Sequence, residues 1–395
     1  MTQGSTMRRL ALTSTALLAS ALLVSGCAVT ATTSSTPTSS SSASTTESNS
    51  TVTVDTSNAS GDIDWSALPT TEVGLTDDGL TITEAGTYVL SGSTTGQVVV
   101  GTDGNVRIIL NGATIASSAG AAIQVDSAET TVIELADGTT NTVSDGSTRS
   151  DDQIDDEELD GAIYSADDLI ITGTGSLDVT ATFADGIVGK DDLWIESGTI
   201  TVESVDDGIR GTDSLTISGG TIAIDAAGDG VKSSNDTDAG AGQLVVSGGD
   251  ITITTGDDGV KAEQQVTITG GTIDILESVE GIEAPVIVID GGDISVDASD
   301  DGINAAASAI VTSGLSVTIN GGDITIVMGS GDTDAIDSNG DLTITGGTID
   351  ITAQSSTDFD GTGTFSGGTL IVNGEQLTEL SNQMMGGGGG GGRRP

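Results

Sequence analysis

An acidic residue followed by a small one keeps returning along this chain, at Asp160-Gly161, Asp185-Gly186, Asp207-Gly208, Asp229-Gly230, Asp258-Gly259, Glu280-Gly281, Asp301-Gly302, Asp334-Ala335 and Asp360-Gly361. Successive spacings are 25, 22, 22, 29, 22, 21, 33 and 26 residues, so the basic unit is about 22 residues, with insertions at 233–242 and within 306–314 or 329–334. A period of this size marks a stacked repeat architecture, because each unit is too small to bury its apolar side except against its neighbours.

One unit reads Asp206-Asp207-Gly208-Ile209-Arg210-Gly211, Leu215-Thr216-Ile217, then Gly219-Gly220-Thr221-Ile222-Ala223-Ile224. Apolar residues alternate within three short runs separated by Gly, Asp and Ser, which predicts three short strands per coil and a parallel β-helix, an all-β solenoid. Inward Ile, Val and Leu should stack into one core, and the corner glycines should supply positive φ. A leucine-rich repeat would need a helical return, and a calcium roll a period near nine or eighteen residues. Neither pattern occurs. Phe, Trp and Tyr number 3, 2 and 2, too few for a bulky aromatic core or for regularly spaced sugar platforms.

Histidine is absent and Cys27 is the one cysteine, which excludes a Ser-His-Asp triad, a zinc site and an internal disulfide. The formal charge of −49 excludes a nucleic-acid partner, since nothing could neutralise phosphates. Carboxylate, hydroxyl and Lys/Arg chemistry remains, together with hard cations such as calcium.

Residues 1–26 carry Arg8 and Arg9, an apolar stretch from Leu10 to Val24 and small residues before Cys27. This is the layout of a bacterial lipoprotein signal with Cys27 lipidated, or of a plain signal peptide with an incidental cysteine. The lipoprotein reading places the chain on the cell surface, held to the membrane by an N-terminal lipid. Residues 27–62 are rich in Ser and Thr and read as a disordered tether, and 381–395 as a Gly-rich tail. Between them, 63–160 reads as an N-terminal cap with irregular coils and 161–380 as regular coils with a C-terminal cap. The acidic run 151–160 reads as a loop.

The succession Leu80-Thr81-Ile82-Thr83-Glu84-Ala85-Gly86-Thr87-Tyr88-Val89-Leu90, Leu110-Asn111-Gly112-Ala113-Thr114-Ile115, Asp167-Asp168-Leu169 and Gly230-Val231-Lys232-Ser233-Ser234-Asn235 resembles a family of secreted bacterial carbohydrate-binding proteins. The resemblance covers roughly residues 75–355. It implies a right-handed parallel β-helix similar to polysaccharide lyases, binding calcium, acidic sugar polymers such as polygalacturonate, and cellulose.

The aligned acids form a carboxylate ladder, doubled by Asp206, Asp257 and Asp300. Two carboxylates one coil apart, at about 4.8 Å, repel by about 0.9 kcal/mol in bulk water and more near an apolar surface. Asp185, Asp206, Asp207, Asp229, Asp257, Asp258, Asp300 and Asp301 are therefore candidate calcium ligands, the alternative being that each caps a corner by accepting backbone N–H groups. Two residues past the glycine stand Arg210, Lys232, Lys261, Glu283, Asn304 and Asp337. Arg210, Lys232, Lys261 and Asn304 are candidate ligands for an acidic polysaccharide, or the three cations simply relieve the ladder. The partial calcium-loop patterns at 233–240 and 332–341 read as solvated loops. A calcium-dependent lyase would use Lys232, Lys261 or Arg210 to withdraw a proton. A non-enzymatic adhesin or wall scaffold is the third possibility, and a monomer is expected in each case.

Overall fold

The computed structural model describes residues 59–149, 159–329 and 333–382. The signal, Cys27, the tether up to residue 58, the acidic run 151–158, Asp332 and the tail from 383 lie outside the described residues.

Within those bounds the chain is all-β, with two 3-10 turns at Ala59–Asp62 and Trp65–Ala67. Its strands form sheets of 24 and 12 members, paired parallel except for Thr369–Val372 with Glu375–Leu377. One unit supplies Asp185–Gly189 to the smaller sheet and Asp192–Ile195 and Thr199–Ser204 to the larger. Each of these pairs with its counterpart in the following unit, Ile209–Gly211, Ser214–Ile217 and Thr221–Ala226 respectively. Three ladders therefore run side by side. The 12-stranded sheet is called the first ladder below, and those through Asp192–Ile195 and Thr199–Ser204 the second and third. The long strand Val106–Ala116 joins the latter two, pairing with Thr131–Leu135 at one end and Thr140–Ser144 at the other.

Alternation explains why these segments are strands. Leu215, Ile217, Ile222, Ile224 and Ile209 are buried, while Thr221, Ala223 and Asp225 between them are exposed. Successive inward residues face like partners, as in Leu193, Leu215, Leu244 and Val266, so the core is a set of aliphatic stacks. Burying one such side chain is worth about 1.5–3 kcal/mol.

Two kinds of glycine hold the turns, for different reasons. Gly220, Gly249, Gly271, Gly292 and Gly322 have φ between 89° and 103°, the left-handed conformation the sequence predicts at corners. The glycines of the Asp-Gly steps do not. A Cβ on Gly208 would lie 2.5 Å from the carbonyl oxygen of Gly230, and one on Gly281 would lie 2.3 Å from that of Gly302. Those positions need glycine because neighbouring rungs pass too close for a side chain.

Register corrects both ends of the sequence alignment. Ile163 pairs with Ile187, so Asp185 stands opposite Gly161 and Asp160 is one place out of line. Ile336 pairs with Thr357, which places Ser355 rather than Asp360 opposite Asp334. In both places the inward stacking decides, and it overrides the Asp-Gly match. Residues 59–62 and 381–382, read from the sequence as part of the tether and the tail, are among the described residues. The Ser60 N–H donates to Glu196 Oε1 at 3.1 Å, and Asn382 Nδ2 donates to the Phe359 carbonyl at 2.8 Å.

Candidate functional site

The first ladder aligns Tyr164, Val188, Arg210, Lys232, Lys261, Glu283, Asn304, Asp337 and Asp358 on successive rungs. Ile209, Val231, Val260, Ile282 and Ile303 beside them are fully buried in the core, so alternation turns the column outward. It changes character along its length, from apolar, to cationic, to acidic.

The stacked acids flank this column, and their two carboxylate oxygens do different work. One is taken by the next rung's backbone. The N–H of Asp207 donates to Asp185 Oδ1 at 3.1 Å, that of Asp229 to Asp207 at 2.8 Å, that of Asp258 to Asp229 at 3.0 Å, and that of Asp334 to Asp301 at 3.0 Å. The other turns to the cations. Arg210 pairs with Asp160, lies 2.7 Å from Asp185 Oδ2 and stands 3.8 Å from Asp207. Lys232 bridges Asp207 and Asp229 at 3.2 and 2.7 Å, and Lys261 bridges Asp258 and Glu283 at 2.5 and 3.0 Å.

This geometry fixes protonation. Burial pulls the Lys232 ammonium down, but Asp229 and Asp207 outweigh it and hold its pKa above the ordinary lysine value. Lys261 is raised in the same way, burial being outweighed chiefly by Asp258. A general base must be unprotonated near neutral pH. The carboxylates around both lysines disfavour that state.

Beyond Lys261 the cations stop. Among the described residues no Lys or Arg pairs with Asp301, Asp337 or Asp358. Burial pushes the Asp337 carboxyl up to about 7, with Asp301, Asp358, Asp334 and Asp360 adding like charge. Burial likewise pushes Asp301 up to about 6, against the lowering effect of the Asp334 N–H. Glu280 is raised by burial and by the adjoining Glu283, although Asn304 Nδ2 donates to both its oxygens at 3.1 Å. Asn304 is 7% exposed, and its Oδ1 has no partner among the described residues.

Two groups offer convergent carboxylates, Asp229 with Asp257 and Asp258, and Asp258 with Glu280 and Glu283, their ligand atoms within 4.8 Å of one another. Asp229 and Asp258 are 1% and 2% exposed, whereas Asp206, Asp257 and Asp300 point into solvent. The structure thus brings Asp257 together with the buried column, while Asp185 and Asp207 are engaged by Arg210 and Lys232. Sequence reasoning put Glu283 and Asp337 in the outward column without assigning them to a metal. It did not place Asp358 there, because the alignment set Asp360 in the place of Ser355, five residues too far along.

A family model described as carbohydrate-binding domain-containing protein matches residues 76–332 and 280–382. A carbohydrate-binding domain-containing protein of Acetivibrio thermocellus is 33% identical over 126 residues, 31% of this chain and 44% of that protein, so the chain matches less than half of that relative's length. The polysaccharide lyase-like protein from C. thermocellum, solved as a gadolinium derivative, superposes with a TM-score of 0.50 at 31% identity, covering 56% of this chain and 92% of that one.

Proposed function

The chain belongs to the family of carbohydrate-binding domain-containing proteins, and from that premise we propose that it binds an acidic polysaccharide through calcium held on the first ladder. We read its three ladders as a right-handed parallel β-helix of about 22 residues per coil, in keeping with the 22-residue register between Ile187, Ile209 and Val231.

The observation that carries the reading is the passage from self-neutralised to unneutralised charge along one column. Arg210, Lys232 and Lys261 are each shared between at least two carboxylates, so they have little attraction left for a ligand. Glu280, Asp301 and Asp337 have no described cation partner, and burial raises each one's affinity for a proton. A divalent cation relieves the same repulsion more effectively, and calcium accepts six to eight oxygens in loose geometry. Glu280 would hold it together with Asp258 and Glu283, from which the calcium would displace Lys261, with Asp229 and Asp257 forming a neighbouring group. Vacant coordination positions would take uronate carboxylates. Without the cation, a chain of −49 repels an anionic polymer.

Lys232, Lys261 and Arg210 then act as positioning groups that keep the acids stacked, and Asn304 as a hydrogen-bonding group at the rim. Neutral cellulose is the second polymer, met by the exposed Thr and Asp rows of the third ladder. With Cys27 lipidated, the domain would present its ladders from the cell surface as a tethered monomer. The test is retention of the chain on immobilised polygalacturonate in calcium and after chelation, with absorbance followed for unsaturated products. Calcium-dependent retention without product is the expected result. Product formation would establish a lyase, and no retention in either condition would leave a scaffold.

A further inference from the structure

The regular coil is interrupted where the first ladder passes into the second near its C-terminal end. In one unit Ala284-Pro285 alone join Ile282–Glu283 to Val286–Ile289, whereas in the next the whole segment 306–315 joins Ile303–Ala305 to Ser316–Ile319. This excursion is tied down along its length. Ser308 Oγ accepts from the Ile310 and Val311 N–H groups at 3.3 and 3.1 Å, and the Ser308 N–H donates to the Val311 carbonyl at 3.0 Å. At its far end the Ser316 N–H donates to the Pro285 carbonyl and the Asp341 N–H to the Leu315 carbonyl, both at 3.0 Å. The next rung passes so close there that a Cβ on Gly340 would collide with the Leu315 carbonyl.

Excursion and rung enclose a cavity of about 260 Å³, whose lining includes Thr312, Ser313, Leu315, Asn339 and Asp341. Its walls face solvent, since all of these but the half-buried Leu315 are exposed. The fold leaves much of their hydrogen-bonding capacity free. Asp341 Oδ1 accepts from the Thr362 N–H at 2.7 Å, while its Oδ2 has no partner among the described residues. Asn339 Nδ2 donates to Asp337 Oδ2 at 3.4 Å, and its Oδ1 likewise has no partner among them. The Thr312 and Ser313 hydroxyls bond to no other described residue.

This set of groups selects a class of ligand. Two hydroxyls that both donate and accept, beside an amide oxygen and a carboxylate oxygen that only accept, match a ring bearing several hydroxyls. Between Lys261 and Arg393 the sequence holds no Lys or Arg, so an anionic ring would meet Asp341 without a counter-charge from this stretch of chain. A neutral hydroxyl would instead give that carboxylate a charge-assisted hydrogen bond. The volume lies below the range of about 300–1,000 Å³ that suits larger ligands, which restricts the cavity to one ring.

We propose that this cavity is a subsite for a single neutral sugar ring, with Asp341 Oδ2 and Asn339 Oδ1 accepting from its hydroxyls and Thr312 and Ser313 donating to its oxygens. The proposal rests on the reading of the chain as a carbohydrate binder and needs no calcium. Because Asn339 also bonds to Asp337, the ring would stand beside the acidic end of the first ladder, where a polymer mixing neutral sugars with uronates could engage both.

Amide chemical-shift mapping of the full chain tests this, with glucose, galactose and mannose as probes, galacturonate as the charged comparison, and chelator present throughout. At least one neutral hexose should shift residues 312–315 and 339–341, and galacturonate should bind there at least about tenfold more weakly. Ser313→Ala with Asn339→Ala should weaken the hexose at least about tenfold without lowering the melting temperature. Asp341→Asn, which keeps an acceptor for the Thr362 N–H, should narrow the gap between hexose and galacturonate. A neutral oligosaccharide of the same hexose separates the sources: tighter binding assigns a ring within a chain, equal binding a free sugar, and either supports the subsite. No shift at these residues with any of the three hexoses, galacturonate bound as tightly as they are, or hexose binding unchanged in the double variant would overturn it. With calcium chelated, failure here is distinct from failure of calcium-dependent retention on polygalacturonate.

Discussion

Arg210 shows how much charge one side chain holds together. Its side chain is 12% exposed and faces Asp160, Asp185 and Asp207. Burial pushes Asp185 up to about 7 even against the attraction of Arg210, with Asp160 and Asp207 adding like charge. Removing the cation strands these carboxylates in a poorly solvated place. Arg210→Met should therefore lower stability by about 3 kcal/mol, measured by denaturant unfolding at neutral pH. Arg210→Lys should recover only part of it, because an ammonium lacks the planar fork that reaches several acids. That the cations share a column with Glu283, Asn304 and Asp337 was legible in the sequence, since all stand two residues past an aligned position. Which carboxylate oxygen each cation takes was not legible. Side-chain torsions and the backbone N–H of the next rung decide it, and neither leaves a trace in residue spacing.

The ladder is the unit at which glycine and acid positions make sense. Gly208→Ala should cost about 1–3 kcal/mol by overpacking, because its Cβ would meet the Gly230 carbonyl and Ile224 Cγ2, both at 2.5 Å. An equal melting temperature for this variant and the parent would refute the close-approach explanation. The acidic end of the first ladder gives a pH signature. Asp301 and Asp337 hold a proton up to about 6 and about 7 when folded. Unfolded, each releases it near about 4. The folded state then binds more protons, so stability should fall as pH rises from about 4 to about 7 and level off above. Added calcium should raise the melting temperature most above pH 7, where those carboxylates are charged. Strand positions were readable from apolar alternation, down to Leu80–Ile82 and Thr131–Leu135 in the irregular N-terminal part. The register errors at Asp160 and Asp360 arose where unit length changes, because the Asp-Gly step recurs in more than one kind of turn and only the inward stack tells them apart.

At the scale of the molecule, the first ladder concentrates charge in one outward column and the second is covered on its N-terminal rungs, so the two faces suit different tasks. The excess of 59 acidic over 10 basic residues makes any anionic ligand depend on a bridging cation. The most direct test compares the parent chain with a Glu280→Gln, Glu283→Gln, Asp337→Asn variant on immobilised polygalacturonate in calcium, after circular dichroism has established that both are folded. Calcium-dependent retention of the parent, with retention of the variant reduced at least about tenfold because calcium affinity follows ligand charge, is the predicted result. Equal retention of the two folded proteins, or parent retention that survives chelation, would contradict the account.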